Sequence, residues 1–297
     1  AGLAKALQLI GEAEFTCGRA GRAAASWERG LTHARRSGDR REEAEILVWL
    51  TMALAHGPTA ASEGRRRLDE ILAAGGGDPR VTASVSIVRG FLVAMDGRFE
   101  EARGLIAEGR EILEKLGLKV RAAMAPSSHL GQVEMLAGDS AAAVRAFRSG
   151  YDTLERMGEK AFLSTLSAWL GEALLTEGRY EEAEDFTLTS EAAASADDAV
   201  SQAGWRAVRS QILVKRGDFG DAEILARDAV ALADATDGLD LQAGTRVALA
   251  DVLTAAGRPE ESAGLLEAAA RLYRTKENTV LAERTRMRLE PVSSPAR

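Results

Sequence analysis

The chain has 297 residues, 46% hydrophobic, 28% charged and 5% aromatic, with a formal charge of -7. That acidity excludes a dominant phosphate-binding surface, and the single cysteine, Cys17, excludes an internal disulfide framework or cysteine metal cluster. No run approaches the ~18 apolar residues of a membrane span and no charged-then-apolar leader opens the chain, so a cytoplasmic setting without membrane or nucleic-acid partners is expected. The first residue, Ala1, is not methionine, which fits a fragment of a longer polypeptide as well as a removed tag or propeptide.

The wealth of Ala, Leu, Arg and Glu favours helices. Candidate turn glycines fall at Gly18, Gly57, Gly97, Gly138, Gly178, Gly217 and Gly257, at intervals of 39, 40, 41, 40, 39 and 40 residues. Each is flanked by helical patterning. Around Gly178, Leu166, Leu170 and Leu174 form one apolar stripe, while Glu181 and Glu182 enter the first turn of a second helix, where the dipole favours acids. The predicted hairpins span residues 1–37, 40–74, 79–117, 119–158, 160–196, 199–236 and 239–275, followed by a capping helix at 278–290 and a disordered tail at 291–297. Residues 1–290 form one domain in this reading.

Small residues recur five after the turn glycine (Ala23, Ser62, Ala102, Ala143, Ala183, Ala222, Ser262) and seven before it (Gly11, Gly90, Gly131, Gly171, Ser210, Ala250, with Leu50 the exception). Small residues at a helix crossing allow close approach of the axes. Nine after the glycine stand Trp27, Arg66, Ile106, Phe147, Thr187, Ala226 and Leu266, mostly bulky knobs expected to fill the neighbouring hairpin. The second hairpin should restart after Pro58 in a shifted register and pack through Leu68, Ile71 and Leu72. Gly75, Gly76 and Gly77 form a loop and not a phosphate cradle, since no Lys and hydroxyl pair follows. Pro126 predicts a kink or late start in the fourth hairpin. Val280, Leu281, Met287 and Leu289 lie on the capping helix.

The pairs Leu130-Gly131 with Ala143-x3-Phe147, and Ile10-Gly11 with Ala23-x3-Trp27, resemble the tetratricopeptide signature, lengthened from its usual 34 residues. A HEAT-like array shares the 40-residue period but not this Gly and Ala placement. The fold class is therefore all-α, a right-handed α-solenoid of about seven tetratricopeptide-like hairpins. From Glu42 to Leu289, and most clearly over 161–191, 199–219 and 257–286, the chain resembles the C-terminal helical region of bacterial signalling proteins. These carry a class III adenylate/guanylate cyclase domain and an AAA or STAND ATPase. The resemblance implies a non-catalytic regulatory tail that binds a peptide or partner domain, including the upstream domains of its own chain. A free-standing peptide receptor or adaptor is the alternative.

In tetratricopeptide arrays the ninth position of each first helix faces a concave groove. Carried over, this gives Glu12, Thr51, Phe91, Gln132, Glu172, Gln211 and Asp251 as the partner-binding stripe, or else a merely hydrated wall. Trp205, Arg206 and Arg209 are read in two ways: stems packed on the indole and paired with acids of the adjacent hairpin, or an anchor for a phosphate or carboxylate. His33, His56 and His129 lie in different hairpins without metal-ligand spacing, Ser127-Ser128-His129 is adjacency and not a triad, and no cofactor is expected. The clusters at Arg35, Arg36, Arg40 and Arg41 and at Arg65 to Arg67 read as solvated helix ends.

Overall fold

A computed structural model describes residues 2–159 and 162–289. These residues form fifteen helices: α1 (Gly2–Thr16), α2 (Ala20–Ser37), α3 (Arg40–His56), α4 (Ala61–Ala74), α5 (Pro79–Ala94), α6 (Phe99–Lys115), α7 (Lys119–Ala137), α8 (Ser140–Arg156), α9 (Leu163–Thr176), α10 (Tyr180–Ala193), α11 (Ala199–Arg216), α12 (Phe219–Asp234), α13 (Leu239–Ala255), α14 (Pro259–Lys276) and α15 (Thr279–Met287). Successive pairs make seven hairpins, and α15 closes the series. No described helix is long and apolar enough to cross a membrane. The turns between paired helices are short: six of the seven turn glycines take a positive φ of 71° to 86°, which only glycine adopts cheaply. Asp39, Asp78, Asp139, Asp198 and Asn278 cap the helices that follow them by accepting backbone N–H bonds.

Gly57 departs from the turn pattern. Its φ is -88°, and it is needed for space, since a Cβ there would lie 2.6 Å from the Ala53 carbonyl and 2.8 Å from the Ala20 Cβ. The register shift of the second hairpin appears one residue early: Ala61 is buried where Ser62 was expected. Leu68 and Ile71 pack inward, but Leu72 is 38% exposed, because it lies a further 100° round the helix.

The knobs fill their own hairpin, contrary to the expectation that they fill the next. A Cβ on Gly11 would sit 2.2 Å from the Trp27 indole, and one on Gly131 would sit 2.3 Å from the Phe147 ring. Trp27 then reaches the second hairpin by stacking on Trp49 at 5.6 Å. Pro126 does not delay α7, which starts at Lys119 and runs through it. Ser128 and His129 bond the carbonyls of Met124 and Ala125 one turn back within the same segment.

Extensive helix-on-helix packing joins sequence neighbours, and it also joins successive first helices, α1 to α3, α3 to α5, α5 to α7, α9 to α11 and α11 to α13. Packing along one side in this way curves the stack. The curve brings the chain back onto itself: Asp237 N–H bonds the Gly18 carbonyl, and Lys276 bonds the Gly57 carbonyl 219 residues away. The last hairpins thus rest on the turns of the first. Here α15 differs from a plain cap. Val280 and Leu281 pack on the core shared by the first four hairpins, Met287 is 58% exposed, and Leu289 lies beyond the helix. The expected tail at 291–297 lies outside the described residues.

Candidate functional site

The inner face of the curve is located by rings. Phe15 on α1, His56 on α3, Phe91 on α5, His129 on α7 and Trp169 on α9 form a chain of contacts, with His56 lying 6.5, 5.7, 5.5 and 6.3 Å from the other four. Residues of α3 and α9, three hairpins apart, can meet only across the inside of a tightly wound stack. The first helices therefore supply the inner wall, and the aromatic cluster narrows it.

The ninth-position stripe divides. Thr51 and Phe91 are buried; Thr51 shares a 2.7 Å hydrogen bond with Ser84, and Phe91 belongs to the aromatic cluster. Glu12 accepts from Gln8, Gln211 donates to the Ala248 carbonyl at 2.7 Å, and Asp251 pairs with Arg288. Gln132 and Glu172 differ. The Gln132 Nε2 is buried with no partner, and Glu172 is exposed and makes no side-chain hydrogen bond or ion pair among the described residues. They stand on α7 and α9, the successive first helices that do not pack extensively on each other.

Electrostatics sharpen this spot. Water reaches the Glu172 carboxyl, yet protein encloses it, and that enclosure raises its pKa above the usual carboxylate range. Tyr273, buried nearby, is pushed up by burial first and then by Asp240 and Glu172. Burial also raises Asp240, against the pull of Lys276 and of a hydrogen bond from Asn278. Burial raises Glu12 and Asp251 as well, opposed by Lys5 and by Arg288.

His129 is 1% exposed. Its Nδ1 faces the Ala125 carbonyl at 2.8 Å; a carbonyl can only accept, so the proton is assigned to Nδ1 and the bare Nε2 is left without a partner. Burial drives its pKa down to about 4, and burial followed by the neighbouring His129 lowers His56 well below the ordinary value. Sequence spacing gave no hint of this pairing, because the two histidines occupy different positions in their hairpins. His33 stands apart on α2. Ser128 and His129 are both spent on backbone carbonyls, so they form no nucleophile and base pair. No group of three or more His, Cys, Asp or Glu among the described residues is placed to hold a metal ion.

Trp205, Arg206 and Arg209 pack on one another. The Arg206 and Arg209 guanidinium carbons lie 4.1 and 4.3 Å from the indole centroid, and Trp205 is 3% exposed. Arg209 pairs with Glu191 of the adjacent hairpin at 2.8 Å and donates to Thr187, whereas Arg206 donates to Gln202. The Arg209 Nη2 is buried without a partner.

A tetratricopeptide-repeat family model matches residues 166–186 and 243–268, in the fifth and seventh hairpins. No curated protein matches the sequence. Among solved structures, a chain of the APC/C hetero-tetramer Cut9–Hcn1 is similar with a TM-score of 0.67 at 14% identity, over 98% of this chain and 53% of that one. This chain thus spans about half the length of that relative. NprR in complex with its cognate peptide NprX gives 0.63 at 15% identity over 92% and 84% of the two chains. The apo quorum sensor NprR from B. thuringiensis gives 0.53 at 14% identity over 91% and 82%. Identities this low speak for the fold, and with the repeat geometry they make this chain a tetratricopeptide-like helical-repeat solenoid.

Proposed function

We propose that the chain is a non-catalytic interaction module that holds an extended peptide, or an extended segment of a partner domain, on its inner wall between α7 and α9. The observation that carries this reading is the unspent polar set there: the Glu172 carboxylate, the Gln132 amide and the His129 Nε2. An amide serves a peptide backbone and a carboxylate serves a cationic side chain or terminus, and groups left unpaired at an enclosed wall gain most from a ligand that pairs them. Glu12, Thr51, Phe91, Gln211 and Asp251 extend or support the stripe. Arg206 and Arg209 beside Trp205 would form a separate anchor for a carboxylate or phosphate, since the Arg209 partners Thr187 and Glu191 lie on α10, a second helix.

Panning a displayed random-peptide library on the chain, followed by calorimetric titration of the enriched peptides, tests this. Glu172→Ala with Gln132→Ala should weaken binding at least tenfold with unchanged helical circular dichroism. Peptides that bind the double variant as well as the wild type would overturn the assignment.

The resemblance of residues 42–289 supports a finer reading, the regulatory tail of a larger signalling ATPase or nucleotide cyclase, in which flexing of the superhelix repositions catalytic domains. An immunoblot of native cells decides it: a band far above 31.5 kDa fits the tail, and one near it fits a free-standing receptor. The likeness to NprR, a receptor with a cognate peptide, favours that second reading.

A further inference from the structure

The return of the superhelix onto itself is made differently from every other junction in the molecule. Adjacent hairpins bury continuous apolar faces, whereas the first-turn to last-turn seam consists of helix ends and loops joined mainly by hydrogen bonds, with Val280 and Leu281 of α15 its apolar part. The Asp237 carboxylate accepts from Ala20 and Gly21, the first two N–H groups of α2, at 2.9 and 2.8 Å. Glu277 does the same for Ser62 at the start of α4, at 2.7 Å. Lys276, 1% exposed, donates to the carbonyls of Leu54, Gly57 and Thr59 at 3.0, 2.9 and 2.9 Å. Thr279 and Val280 bond the Met95 carbonyl, and Arg284 bonds those of Met135 and Leu136. The turn glycines make room: a Cβ on Gly18 would lie 2.5 Å from Thr236.

We propose that this seam is a latch that parts as a unit while the hairpins stay stacked, opening the inside of the curve sideways and exposing the inner wall. Its polar bonds are exchanged for water when it opens and only Val280 and Leu281 give up apolar cover, so it loses less than a fully apolar junction. The buried ammonium of Lys276 regains its hydration at the same moment. Burial holds its pKa down at about 8, a measure of the hydration it has given up, against the pull of Asp240 and Asp237. Ring closure couples the contacts: once Lys276 leaves its carbonyls, the bonds of Asp237 to Gly18, Ala20 and Gly21 must hold more of the closure and part more readily. The latch does not depend on which ligand the inner wall takes.

Five amide protons report on the seam alone, those of Ala20, Gly21, Ser62, Asp237 and Val280. Hydrogen exchange by NMR on the whole chain should show all five exchanging together through one opening, far faster than helix-interior amides such as those of Ile106 and Leu170. Lys276→Met keeps the stem and removes the ammonium. It should speed all five at least tenfold, including Ala20, Gly21 and Asp237, which Lys276 does not touch, with interior amides unchanged. Acceleration confined to Ser62 and Val280 would overturn the latch, as would equal acceleration of the interior. Should Lys276→Met fail to fold, the wild type in sub-denaturing urea decides alone. Five amides with one shared opening below that of the interior support the latch, and five unrelated openings, or one equal to the interior's, refute it.

Discussion

Gly131 and Gly171 occupy the same position in successive hairpins, yet the packing predicts opposite responses to alanine. At Gly131 the new Cβ would fall 2.3, 2.5 and 2.5 Å from three ring atoms of Phe147, which is 1% exposed and held against Trp169 at 6.1 Å. A rigid ring has no soft end to yield, so overpacking at the upper end of its usual range, about 3 kcal/mol, applies. Replacing a mid-helix glycine returns roughly 1 kcal/mol, leaving a net loss of about 2 kcal/mol. At Gly171 the nearest atoms are the Ala183 carbonyl at 3.3 Å and Phe186 and Thr187 carbons at 3.7 Å. There the small residue Thr187 stands where Phe147 stands, and alanine should be neutral or stabilising by about 0.5–1 kcal/mol. Urea unfolding of both variants by circular dichroism separates the two cases. Phe147→Leu introduced into Gly131→Ala should recover at least about 1 kcal/mol of the expected additive loss. Equal shifts for the two alanines, in either direction, would refute the claim that the knob and not the glycine's flexibility sets the requirement.

Three further outcomes follow from the wall and its surroundings. His129 is held neutral with a folded pKa near 4, below the ordinary 6.5, so the unfolded chain binds the extra proton and stability is lost as pH falls from 6.5 toward 4. Between pH 7.5 and 4.5 the wild type should lose about 2.5 kcal/mol more than His129→Phe in paired urea titrations, and parallel losses would show that His129 is not the group responsible. Trp205→Ala, which removes a buried ring and frees two guanidinium groups, should cost about 3–5 kcal/mol, whereas Arg206→Ala should cost less than about 1 kcal/mol; thermal denaturation checks the order. Glu172→Ala should leave the thermal midpoint unchanged or raise it, since the carboxyl has no partner to lose, and a marked fall would mean it is structural.

The seven hairpins were legible because steric demands repeat: a turn glycine, and small residues where helices cross. Where a residue's role depended on one neighbour, the pattern misled. Trp27 and Phe147 looked like knobs for the next unit because spacing along the chain does not say which of two nearby notches a ring enters; the 2.2 and 2.3 Å approaches to Gly11 and Gly131 decide it. The ninth-position stripe was carried over from the resemblance by register, which does not foretell its division into buried Thr51 and Phe91 and open Glu172. That division follows from how tightly the wall curves. The meeting of His56, His129 and Trp169 belongs to the same class, since each ring reaches the cluster from a different helical position.

Curvature also explains why the seam left no trace in the sequence while obeying the repeat. Gly18 meets Asp237 and Gly57 meets Lys276 at the same separation of 219 residues, so advancing one hairpin on the first turn advances one hairpin on the last. A separation between five and six periods of about 40 means that a hairpin's turn faces a loop between hairpins and not another turn. Loop ends carry free carboxylates and ammonium groups, turns and helix starts carry free N–H and carbonyl groups, and the two edges are complementary by construction. The same period would put the next contact at Gly97, where α15 stands instead: Thr279 and Val280 hold Met95, and Arg284 reaches the end of α7. Helix α15, following the seventh hairpin, therefore continues the seam with side chains, and its inward residues pack on the first hairpins as well as on α14.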